Sequence, residues 1–213
     1  MYSLNEIDVT AKRAARGAGL PWGMAEEAGK CARWLEANGL PGSEAMLAQL
    51  INIDGTDCHQ NGPDVGSEVW TAQSGTLCPL MTGAAISDHA TQIAAQGSAK
   101  LGPVSNPLLL LPFVATTASR AGSQIEVSWQ GTKATVTAKV VVVENGDTLT
   151  SDKAETVECR LVDGATIEDT ANERCVIPAS TWAELGKLGH RTFAPDTEAS
   201  RLAGAGAGLS DND

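Results

Sequence analysis

The sequence predicts an α+β fold: an N-terminal three-helix segment, a mostly antiparallel β-region in the second half, a short C-terminal helix and a glycine-rich tail. Three observations carry this. Apolar residues recur at three-and-four spacing through the first fifty residues, strict alternation appears around Trp129, and glycine, proline and asparagine separate the segments.

The first helix is announced by Ser3-Leu4-Asn5-Glu6, a capping box in which Ser3 receives the Glu6 amide and Glu6 reaches back. Leu4, Ile7, Ala11, Ala14, Ala15 and Ala18 then form a small apolar stripe, stopped by Gly17, Gly19 and Pro21. A second helix is expected from about Gly23 to Asn38, with Met24, Ala28, Cys31 and Leu35 on one face and a Glu26–Lys30 pair on another. After the Pro41-Gly42-Ser43 turn, Met46, Leu47, Leu50 and Ile51 mark a third helix, closing a helical lobe over residues 1–53.

Residues 54–105 read as an irregular connecting region: a polar loop, then Leu77–Ile86 as a strand and Ser87–Ala95 as a helix capped by Ser87. A β-rich region is expected over 106–190. Pro107 and Pro112 argue against a long helix at Leu108–Leu111. Ile125, Val127 and Trp129 alternate with polar residues, and after Gln130-Gly131 the pattern resumes at Ala134, Val136 and Ala138, which predicts a hairpin. Val140–Val143 suits a strand buried on both faces or one that ends beneath a second layer, Thr156–Val162 a further strand, and Cys175–Ile177 a short one. Ser180 or Thr181 would cap a last helix through Trp182, Leu185 and Leu188, and residues 191–213 form the tail. The five tryptophans are mostly expected in the core.

The chain has 213 residues, 42% hydrophobic and 19% charged, the composition of a folded protein with a sizeable core. A net charge of -11 repels polyanions and anionic membranes, so neither nucleic acid nor a membrane is an expected partner. No apolar run is long enough to span a bilayer and no secretory signal opens the chain, which by elimination places it in the cytoplasm. Five cysteines at irregular spacing read as reduced thiols.

The candidate chemistry is sparse. Cys58 and His59, with Cys78 and His89 downstream, could form a thiolate–imidazole pair, so Cys58 and His59 are the candidate catalytic residues. Their spacing does not fit a zinc site, and a buried thiol beside a loop histidine is the blander alternative. The pairs Glu26–Glu27 and Glu168–Asp169 are adjacent residues that would not face each other on a helix. Ser87-Asp88-His89 has the letters of a hydrolase triad without its geometry. The alternation Gly204–Gly208 lacks the strand, helix and lysine of a phosphate loop. Arg120, Arg160, Arg174 and Arg191 could converge on an anionic ligand.

Ser3–Ile7, Lys12–Gly19 and Trp22–Ala28, together with the ending Gly204–Asp213, resemble a proteobacterial family catalogued as a domain of unknown function. The resemblance implies a bacterial origin and no transferable chemistry or cofactor. Two readings stay open. One is a small-molecule enzyme or ligand-binding protein with a pocket between helical lobe and sheet. The other is a non-catalytic accessory protein meeting a partner, or a second copy of itself, through the first-helix stripe or the tail.

Overall fold

The computed structural model describes residues 1–56, 58–164 and 172–193. The Glu168–Asp169 pair and the glycine-rich ending lie outside them. Within them the chain is α+β, in the order β1 (Tyr2–Ser3), α1 (Leu4–Gly17), α2 (Trp22–Ala37), α3 (Gly42–Ile53), a 3-10 turn (Cys58–Asn61), β2 (Pro63–Asp64), β3 (Val69–Ala72), α4 (Pro79–Asp88) and α5 (Ala90–Gln96). There follow β4 (Ser98–Leu101), β5 (Val104–Ser105), a second 3-10 turn (Pro107–Leu110), α6 (Leu111–Ala121), β6 (Gln124–Trp129) and β7 (Thr132–Val136). The last elements are β8 (Val141–Gly146), β9 (Lys153–Ala154), β10 (Val157–Val162), β11 (Arg174–Cys175) and α7 (Ala179–His190).

The capping box forms as its letters require: the Glu6 amide donates to Ser3 Oγ (3.3 Å) and the Ser3 amide donates to Glu6 Oε2 (2.7 Å). These bonds, the backbone one first, hold the Glu6 carboxyl below its ordinary range, and the charge of Arg174 adds to them. The alanine stripe is wholly internal. Ala11, Ala14 and Ala15 are at most 1% exposed because α2 and α7 cover them, so the stripe is not available to a partner chain. On α2, Lys30 pairs with Glu27 at 2.7 Å rather than with Glu26.

Seven strands form one sheet in the order β2-β3-β4-β10-β6-β7-β8, antiparallel except for β3 beside β4. The expected hairpin is β6–β7, with Val127 opposite Ala134 and Gln130-Gly131 at the turn. Gly131 has φ 72°, the left-handed conformation a tight hairpin turn demands. One sheet face carries Ile125, Val127, Ala134, Val136 and Cys159 into the core against α6. The other is polar, and Glu126 there binds Lys133 (2.7 Å) and Arg160 (2.8 Å), which lowers its pKa. Two further strand pairs lie outside this sheet: β1 with β11, where Tyr2 stacks on Trp182 at 3.7 Å, and β5 with β9.

Four expectations are corrected. Leu77–Ile86 is not a strand: Pro79 opens α4, whose Leu80, Gly83, Ile86 and Ser87 are buried at helical spacing. Ser87 caps nothing and donates to the Phe113 carbonyl at 3.3 Å. Pro112 stands in the first turn of α6, where a missing amide costs no hydrogen bond, so Leu108–Leu111 leads into a helix. Val141–Val143 lies on the edge strand β8 with Val142 41% exposed. In addition, Pro178 rather than Ser180 or Thr181 precedes α7. Of the tryptophans, Trp70 and Trp129 are buried, while Trp22 is exposed beneath the guanidinium of Arg16 at 4.8 Å. No helix among the described residues is long and apolar enough to cross a membrane.

Candidate functional site

Helix α3 is where the helical segment meets the β5–β9 ladder, and its inward face carries a polar residue. Gln49 is fully buried, which is costly unless its amide is satisfied. Its Oε1 accepts from Ser105 Oγ (2.9 Å) and Asn106 Nδ2 (3.0 Å), and its Nε2 donates to Cys78 Sγ at 3.7 Å. One side chain thereby ties α3 to β5, to the second 3-10 turn and to the start of α4.

Asn106 is the unusual member. It is 5% exposed and, among the described residues, the only non-glycine with positive φ (42°). That conformation crowds a Cβ against the carbonyl and is held here by bonds at both ends. The Asn106 amide donates to the Asp152 carbonyl (2.8 Å) and its side chain is anchored on Gln49.

Beside Asn106 lies a cavity of about 220 Å³, walled by Pro41, Glu44, Ala45 and Ala48 on one side and by Leu108, Thr150, Ser151 and Asp152 on the other. Ser151 Oγ is buried without a hydrogen-bond partner. Across Pro41 and Glu44 a second hollow of about 340 Å³ is bounded by Glu36, Leu40, Arg174 and Cys175. The two share a shoulder at the start of α3 and form a cleft around it.

Glu36 shapes that shoulder. Pro41 offers no side-chain cap to α3, and Glu36 Oε1 accepts the Ser43 amide at 2.8 Å instead. Burial pushes the Glu36 carboxyl up, the Ser43 bond opposes this, and the charge of Glu44 adds to the rise. A raised folded-state pKa contributes stability that is full below the unfolded pKa and lost as pH rises through the folded one. Glu36→Gln keeps an acceptor for Ser43 and removes the buried charge. It is expected to melt higher than the parent at about pH 7 and to lose that advantage below about pH 4, where both are neutral. Melting curves at the two pH values check this.

The sequence-predicted residues are placed differently. The 3-10 turn bearing Cys58 and His59 abuts Cys78, whose amide donates to the Asn61 carbonyl at 2.8 Å, and His59 is exposed. Cys78 and His89 flank opposite ends of α4, so a ten-residue helix of about 15 Å separates them and excludes a dyad. His89 instead bonds the Ala85 carbonyl (2.9 Å) and packs edge-on against Trp70. Cys31 and Cys159 are buried thiols whose ionisation burial opposes, Cys159 being pushed up to about 12. Cys175 is buried as well and donates to the Glu36 carbonyl at 3.3 Å. Among the described residues no group of three His, Cys, Asp or Glu side chains could hold a metal ion.

The four arginines go to separate places. Arg120 donates to the Ser87 carbonyl, Arg160 pairs with Glu126 on the polar sheet face, and Arg191 grips Asp54 through both carboxylate oxygens at 2.7 and 2.8 Å. Arg174 alone borders the cleft. Sequence reasoning missed Gln49, Asn106, Glu44 and Ser151; the one available signal was Asn106-Pro107, a turn dipeptide at the edge of an apolar run.

Fold and cleft together define an α+β protein in which α3, the second 3-10 turn and the segment before β9 flank a small cavity that is apolar with a few polar groups. Residues 2–76 match the model of a family described as a protein of unknown function (DUF3726). No curated protein matches the chain. Among solved structures the chain is similar to the malate dehydrogenase from Entamoeba histolytica, with a TM-score of 0.42 and 12% identity over 63% of this chain. The match spans 43% of that enzyme's chain, and a likeness so distant carries no functional argument.

Proposed function

We propose that this protein binds a small molecule in the cleft around Pro41–Glu44, between the helical lobe and the β-rich region. The observation that carries the reading is Asn106: a strained, buried polar residue on a cavity wall, held by a network that joins three parts of the chain. Strain of this kind persists where the surrounding structure over-determines it, and such places concentrate at ligand clamps. The cavity adds half-buried Glu44 and the orphan hydroxyl of Ser151 to an apolar lining of Ala45, Ala48 and Leu108, the mixture that orients a small ligand. Arg174 is the one predicted arginine that borders this cleft.

The test is a thermal-shift screen of metabolites against the parent and Ala48→Phe, which fills the smaller cavity. A ligand of the cleft raises the melting temperature of the parent by mass action and leaves the filled variant unmoved. Ligands that stabilise both equally, or a broad library that stabilises neither, would overturn the reading.

A further inference from the structure

Helix α3 is apolar on both sides. Among its residues only Glu44 is charged, and with Met46, Gln49, Leu50 and Ile53 turned inward the outward strip is Glu44, Leu47, Ala48 and Ile51, spaced three and four apart. Ile51 is 60% exposed and Leu47 half-buried. A surface helix ordinarily sets charged and polar residues on that side, and a helix that is apolar all round is one that something covers. We infer that this chain's own residues 194–213 cover the strip, with Leu202 on Leu47 and Ile51 and with Arg201 beside Glu44.

The place where the described chain leaves the fold commits the strip to this segment. Arg191 grips Asp54, the residue that ends α3, so Phe193, two residues on, emerges at the C-terminal end of the strip and is itself 55% exposed. From Asp54 back to Glu44 is ten residues of helix, about 15 Å. From Phe193 on to Arg201 is eight residues, which span up to about 26 Å when extended, so Arg201 reaches Glu44 with slack. The charges agree with that register. Arg201 is the one cation of residues 194–213, and Glu44 has no ion-pair partner among the described residues, whereas Glu27 and Glu126 have theirs. Leu202, next to Arg201, is the first large aliphatic residue after Phe193. A second copy presenting the same strip would bring no cation to Glu44. Glu44 and Ala48 also wall the smaller cavity, but the inference needs no ligand there and its test contains none.

The experiment is a NOESY spectrum of the full chain with labelled leucine and isoleucine methyl groups. Cross-peaks from Leu202 to Leu47 and Ile51 are expected, unchanged on dilution and lost in Leu202→Ser. Arg201→Glu is expected to weaken them, and Arg201→Glu with Glu44→Lys, which swaps the charges, to restore them. The amide of Val127 in the β6–β7 hairpin should hold its position in every variant, which reports that the fold is intact. Absence of the cross-peaks, with the Leu47 and Ile51 methyl signals unmoved by Leu202→Ser, would show an open strip and overturn the inference. Cross-peaks that run to the unlabelled copy in a mixture of labelled and unlabelled chains would give the strip to a second copy and overturn it as well. Cross-peaks indifferent to Arg201→Glu would remove the Arg201–Glu44 register and the inference with it.

Discussion

Gly17→Ala is expected to destabilise the fold by roughly 3 kcal/mol or more, because a Cβ at Gly17 falls on the backbone carbonyl of Leu188 in α7. A flexible side chain could move aside, but a carbonyl within a helix moves only with the helix. For a chain of this size the melting temperature should drop by roughly 6–12 °C. Gly186→Ala is the matched control: it changes a glycine within α7, and its Cβ meets nothing within 4 Å. Helix propensity alone should make that variant more stable by up to about 1 kcal/mol. Calorimetry on the pair separates helix–helix contact from propensity. If Gly17→Ala melts like the parent, α1 and α7 do not approach as described. The contact matters beyond stability: the stripe of α1 that matches the N-terminal family model is covered by α7, far along the chain. The matched segment, residues 2–76, therefore leaves its own apolar surface uncovered without the C-terminal helix.

What could be read from the sequence was what neighbours in sequence decide. Ser3 and Glu6 are three residues apart and settle the start of α1 between them, and Ile125, Val127 and Trp129 with Gln130-Gly131 settle a hairpin. Where a residue type has two meanings, context outside the window chose. Pro112 was read as a breaker of Leu108–Leu111 and is instead a helix opener, since the first turn of a helix has no amide bonds to lose. Val140–Val143 has the composition of a central strand, and its edge position follows from pairing with β7 alone. The cleft was invisible for a stronger reason. Gln49 and Asn106 are 57 residues apart, Ser151 lies further on, and none is unusual in its own surroundings. The Cys58-His59 adjacency drew notice because its reactive letters stand together in the string, where neighbours in sequence are visible.

Asn106→Ala is expected to cost roughly 2–4 kcal/mol, the sum of about 1–2 for an alanine held at positive φ and about 1 or more for the lost bond to Gln49. Asn106→Gly loses the same bond and relieves the backbone, so it should cost about 1–2 kcal/mol. The difference between the two, read from denaturant midpoints at constant m, isolates the backbone strain from the side-chain network. Equal destabilisation would mean the left-handed conformation costs nothing there and would remove the strain argument for the site.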